Sequence, residues 1–174
     1  MVSVMAAIQY YEERGGTASV FVNDDGMQAI KPELAEARKH YYRENGIGYT
    51  ARLPNRKGGA SKTGRAAANQ TDDVEKDDAQ LSPQDLSNKI GFERKGKFKK
   101  ASNMNYGLAF SNRVEDEMPR LTRLEVARRG CTEEELTVDD DDELYHQALQ
   151  NMLVEDKGTT WAEGNIRIGE IILM

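Results

Sequence analysis

At 174 residues and 19.5 kDa the chain is long enough for one domain with a real core and too short for two. Its 24 basic and 30 acidic residues leave a net charge of −6, which argues against a general nucleic-acid-binding face. The single Cys131 excludes an internal disulfide and a thiolate metal cluster and fits a reducing compartment. No apolar run approaches the ~20 residues of a membrane helix, and the N-terminus lacks the basic-then-apolar layout of a signal peptide. The composition therefore reads as a soluble, cytoplasmic chain with no membrane segment of its own.

Val4, Ile8 and Tyr11 have helical spacing, and Arg14 to Gly16 ends that helix. A short β-rich run follows over Ala18 to Val22. A second helix begins near Pro32, with Ile30, Leu34, Ala37 and Tyr41 expected to share its inward face and Gly46 just past its end. Ile47 to Arg52 ("IGYTAR") reads as a second strand. Helix, strand, helix, strand in this rhythm predicts parallel pairing and an α/β domain. From Pro54 to Lys89 large apolar residues almost vanish, so residues 54–89 read as a disordered surface insertion in a single domain spanning 1–174. A helix is expected from Ser102 to about Arg113 and another from about Asp141 to Glu155, the latter with Leu144, Tyr145, Ala148, Leu149, Met152 and Leu153 as its apolar stripe. Ile166 to Met174 reads as a strand apolar enough to be buried on both faces.

Two stretches carry chemistry. "VFVNDDGMQ" sets Asn23, Asp24 and Asp25 where a strand meets a loop, and in open α/β sheets ligands sit at the carboxyl ends of strands. A carboxylate there can accept from a nucleobase N–H or a ribose hydroxyl, although an ordinary Asp-Gly turn has the same composition. "RKGKFKKASNMN" places Arg94, Lys95, Lys97, Lys99 and Lys100 immediately before a helix, whose N-terminal amides and positive dipole end suit a phosphate or diphosphate. Asn103 and Asn105 cost helix propensity there, unless one of them is a cap. Asp139 to Asp142 suit the cap and first turn of the following helix better than a metal site. "GGASKTG" lacks the glycine spacing of a phosphate loop, and no Ser/His/Asp constellation is present.

Taken together, "FVNDDGMQ", "NGIGYTAR", "GKFKKASNMNYGL", "NRVEDEM" and "TWAEGNIRIGEIIL" resemble the family 2 glycosyltransferases, specifically the cellulose-synthase-like, membrane-bound group found in fungi. The resemblance implies a partial GT-A domain, Rossmann-like with a mostly parallel sheet, that binds a nucleotide-diphospho-sugar such as a UDP-sugar and passes the sugar to a glycan acceptor. It implies a nucleoside contact at Asp24, with Asp25 beside it, and nucleotide and diphosphate contacts across Lys100, Ala101, Ser102, Asn103, Met104 and Asn105. In that family the strand matching "GEIIL" leads into an Asp-x-Asp motif whose carboxylates hold Mg²⁺ or Mn²⁺ on the diphosphate. That motif, the later general base and the membrane helices are not in this sequence, nor is the first nucleotide-binding strand. The expectation is therefore the front of a hexosyltransferase catalytic domain, trimmed at both ends, inactive alone and carrying neither catalytic nor metal-binding residues. The alternatives are a non-catalytic nucleotide- or partner-binding module and an incomplete gene model.

Overall fold

The computed structural model describes residues 2–56, 81–94 and 98–169. In chain order these form α1 (Val2–Glu12), β1 (Phe21–Asn23), a 3₁₀ turn (Met27–Ala29), α2 (Pro32–Glu44), β2 (Gly48–Arg52), α3 (Pro83–Ile90), α4 (Lys99–Arg129), a second 3₁₀ turn (Glu133–Glu135), α5 (Val138–Glu155) and β3 (Thr160–Glu163). The class is α/β, as the alternation of helical and strand patterns predicts.

Local chemistry sets most of the boundaries. Pro32 opens α2 at a position where a missing amide costs nothing. Ser82 caps α3 by accepting from the Asp85 amide, with Pro83 just inside. Thr137 and Asp140 form a reciprocal capping box at the start of α5, so the acidic run at Asp139 to Asp142 does serve the helix end. Gly91 and Gly130 close α3 and α4 in the left-handed conformation that residues with a Cβ resist.

The sheet has the order β1-β2-β3. β1 and β2 run parallel, with Phe21 opposite Gly48 and Asn23 opposite Thr50. β3 is antiparallel to β2, pairing Glu163 with Tyr49 and Thr160 with Arg52. The sheet is therefore mixed rather than mostly parallel. A strand returning from the end of α5 meets β2 head-on, and antiparallel pairing needs no crossover there.

Several expected boundaries shift. α4 continues far beyond Arg113 because its second half is laced by pairs along its own surface: Arg120 with Glu117, and Arg128 and Arg129 with Glu125. The inward face of α2 is Ala35 and Tyr42 rather than Leu34 and Tyr41, which lie in solvent. The segment expected to be disordered from 54 to 89 contains helix α3, with Leu86 and Ser87 buried and the Ser87 hydroxyl donating to the Pro54 carbonyl at 2.6 Å; residues 57–80 of that segment lie outside the described residues. The last strand of the described chain is Thr160–Glu163, not Ile166 to Met174. Residues 165–169 carry no strand pairing, and 170–174 lie outside the described residues. Ile166 is nonetheless fully buried. Its amide donates to the Tyr145 hydroxyl and its carbonyl accepts from Ser111, so it plugs the seam between α4 and α5.

Two apolar clusters hold the layers together. The larger joins Phe110, Val114, Met118 and Leu121 of α4 to Leu144, Tyr145, Ala148 and Leu149 of α5, with Ala162 and Ile166 from the sheet side. The stripe expected on α5 is the one buried. The smaller, made of Met27, Ala35, Tyr49 and Ala51, sits between the sheet and α2. α4 lies so close to the end of β1 that a Cβ on Gly107 would stand 1.5 Å from the Asn23 side-chain oxygen and 2.9 Å from the Thr50 hydroxyl oxygen. Gly107→Ala should therefore lower stability by about 1–3 kcal/mol through overpacking, read from the denaturant midpoint. An unchanged midpoint would mean that α4 does not rest on Asn23 at all.

Candidate functional site

The site lies where β1 and β2 end. Beyond Asn23 the Asp24 amide continues the ladder to the Thr50 carbonyl at 2.9 Å, and the chain then turns away through Asp25 and Gly26. Gln28 pins that turn by donating to the Ala51 carbonyl at 2.7 Å and the Thr159 carbonyl at 3.3 Å. The two aspartates leave the turn for different partners.

Asp24 faces α2. Its carboxylate accepts from Arg38 at 2.9 Å, from the Tyr42 hydroxyl at 3.0 Å and from the Gly26 amide at 3.3 Å. Its side chain is only 10% exposed. Burial first, and then the neighbouring Asp24 charge, push the Tyr42 phenol up to about 12.

Asp25 faces α4. It accepts from the Arg52 Nε at 2.6 Å and pairs with Arg94 at 3.2 Å, while Arg94 also donates to the Asp25 carbonyl at 2.9 Å. The Arg52 side chain is 2% exposed and the Asp25 carboxylate 29% exposed. Arg52 reaches onward to donate to the Ser102 hydroxyl at 3.0 Å, so one buried guanidinium ties the ends of β1 and β2 to the first turn of α4. Its remaining amino group, Nη2, is buried with no hydrogen-bond partner.

Asn103 completes the junction, its side-chain amide donating to the Asn23 carbonyl at 2.8 Å. That buried bond offsets the helix propensity an Asn loses so early in α4. Neither Asn103 nor Asn105 is the cap: α4 begins after Phe98, which supplies no side-chain cap bond. The first helical bond runs from the Ser102 amide to the Phe98 carbonyl, leaving the amides of Lys99, Lys100 and Ala101 ahead of it. Lys99, Lys100 and Asn105 are exposed, and Lys100 forms no ion pair with another described residue.

Asp25 and Asn103 are thus drawn into one junction by Arg52, Ser102 and Asn23. Asp24 belongs to the contact with α2, and Lys100 and Asn105 sit on the outer surface of the same helical turn. Lys95 and Lys97 lie outside the described residues. The residue that sequence reasoning leaves out is Arg52. Its signal was a full charge closing a strand otherwise made of residue types that bury. Among the described residues no three His, Cys, Asp or Glu side chains assemble to hold a metal ion, and no helix is long and apolar enough to cross a membrane.

Comparison with known proteins returns no matching family model, no similar curated protein and no similar solved structure.

The different surroundings of the two aspartates make a prediction. Asp24→Ala should cost about 1–3 kcal/mol, because it leaves Tyr42 and Arg38 without their shared acceptor. Tyr42 holds its proton more tightly folded than unfolded, so the stability it contributes is complete below pH 10 and drains away as pH rises through about 12. Melting curves across that window should fall less steeply for Tyr42→Phe than for the wild type. A residual slope will remain, because burial also raises the phenols of Tyr49, Tyr106 and Tyr145. Equal slopes would show that Tyr42 does not face Asp24.

Proposed function

We propose that the carboxyl ends of β1 and β2, with the start of α4 beside them, take the nucleoside diphosphate of a sugar donor. On this reading the chain is the nucleotide-binding front of a GT-A catalytic domain, part of a family 2 glycosyltransferase that passes a hexose from a donor such as a UDP-sugar to a glycan acceptor, with the domain on the cytosolic side of a membrane. The observation that carries the reading is the junction itself. A helix N-terminus without a side-chain cap, bearing Lys99 and Lys100, is tied through Ser102, Arg52 and Asp25 to the ends of two parallel strands. Open α/β sheets bind ligands at that end, and helix N-termini with adjacent lysines favour phosphate.

The roles divide by exposure. Lys100 and the amides of the first turn of α4 would meet the diphosphate. The Asp25 carboxylate, with lone pairs left after its two arginines, would accept from a nucleobase N–H or a ribose hydroxyl. Asp24 and Asn103 hold the strand ends to α2 and α4 rather than the ligand, and Asn105 is exposed on α4. The Mg²⁺ or Mn²⁺ that the family resemblance implies has no ligand set among the described residues.

Titration calorimetry of the full chain with uridine diphosphate in excess Mg²⁺ tests this. Wild type should bind, and Lys100→Ala should weaken binding roughly tenfold, the worth of one charge-assisted contact. Asp24→Ala should lower the melting temperature while leaving the affinity of the folded protein as in wild type. No heat from the folded wild type, or equal affinity for Lys100→Ala, would end the reading.

A further inference from the structure

The start of α4 carries a second arrangement on its outer surface. Phe98 is 71% exposed, more than any other aromatic side chain among the described residues. It also occupies the N-cap of α4, where Ser, Thr, Asp or Asn would accept from a helix amide and a phenyl ring cannot. A ring held mainly in water at that position gives the fold little in return. One exposed apolar residue is ordinary on a protein surface; its neighbours set this one apart. Lys99 and Lys100 are exposed beside it, and the sequence from Arg94 to Lys100 holds five basic residues and no acidic one.

The acidic residues gather at the other end of the same helix. α4 runs for 31 residues, a length of about 45 Å. Past its far end, from Glu133 to Glu143, the sequence holds eight acidic residues and no basic one, in the second 3₁₀ turn and the first turns of α5. At physiological salt a charge is screened within about 8 Å, so this acidic pole does not cancel the basic one. Asp25 and Glu93 are already held by arginines. The net charge of −6 thus conceals a molecule that is positive at the start of α4 and negative at its far end.

That layout selects a partner. Lysines meet anionic headgroups, an adjoining aromatic ring leaves water for the boundary of the acyl chains, and the acidic pole stands well clear of the surface. A nucleic acid would need basic groups in a stripe that follows its phosphates, whereas here they gather at one tip. We propose that Phe98, Lys99 and Lys100 form a docking tip for an anionic phospholipid surface, with the far end of α4 directed away from it. The contact is peripheral and needs no membrane-spanning helix. It stands on the exposed ring and the charge layout and does not require a bound nucleotide, although Lys100 is common to both readings.

Co-sedimentation of the full chain with lipid vesicles tests it. The chain should sediment with vesicles of equal parts phosphatidylcholine and phosphatidylserine but not with phosphatidylcholine alone, and rising salt should release it. Lys99→Ala should weaken the partition roughly fivefold. Phe98→Ser is the sharper variant. Serine supplies the missing cap, so this change should raise the melting temperature while weakening vesicle binding. Phe98→Trp should shift its emission to the blue on the mixed vesicles and not on phosphatidylcholine. No sedimentation, equal sedimentation with both lipids, or a folded Phe98→Ser chain that binds like wild type would overturn the proposal. So would a chain that retards polyuridylate in a gel and ignores the vesicles. Calorimetry with uridine diphosphate separates the two readings. Vesicle binding without nucleotide heat leaves the docking tip standing while the nucleotide reading falls, and nucleotide heat without vesicle binding does the reverse.

Discussion

The amide of Asn103, the bare backbone of Gly107 and the guanidinium of Arg52 act together to press helix α4 against the open end of the β1–β2 pair. Much else depends on that contact. It fixes where the helix N-terminus points, brings Asp25 and Ser102 onto one buried cation, and sets the face of α4 from which Tyr106, Phe110 and Arg113 reach their partners. A side chain at Gly107 would force the helix away from Asn23, and the Arg52 bridge could not then span the gap.

Burying a charged guanidinium is costly unless it is well paired. Arg52 meets that cost with an aspartate on one side and a serine on the other, and still carries one amino group with no partner. Arg94 adds a second cation to the same carboxylate. Asp24, one residue earlier, satisfies a separate group on α2. Adjacent acidic residues at a strand end thus do two different jobs: one braces the sheet against α2, the other remains partly open beside the end of α4.

The elements most legible in the sequence were those with strong local signals. The α5 stripe, the Pro32 start of α2 and the strand over Gly48–Arg52 could be read from spacing and punctuation alone. The second half of α4 was not, since the helix was expected to end near Arg113, whereas paired Glu and Arg side chains carry it on through Pro119 to Arg129. The short helix α3 was hidden in a polar segment and is held by Leu86, Ser87 and its caps rather than by a broad apolar face. β3 carried no apolar run to mark it, while the run expected as a strand, Ile166 to Met174, is unpaired over 166–169 and lies outside the described residues from 170 on. At the site, residue types identified Asp24, Asp25 and the lysine-rich helix start as candidates. Only the three-dimensional contacts separate the brace from the open carboxylate, and they rest on Arg52, whose one local signal was its charge at the end of a burying strand.

The reversal of strand direction at β3 bears on how the molecule assembles. Arg43 of α2 and Glu163 of β3, which clasp each other across the sheet, stand 120 residues apart in the chain, whereas α4 and α5 are neighbours joined by a short turn. Closing so large a loop before any contact rewards it is slow. The helical hairpin of α4 and α5 closes through local contacts, and the third strand zips onto the second as the last act, so that a partly made chain would display one open edge of β2 until residues 160–163 arrive.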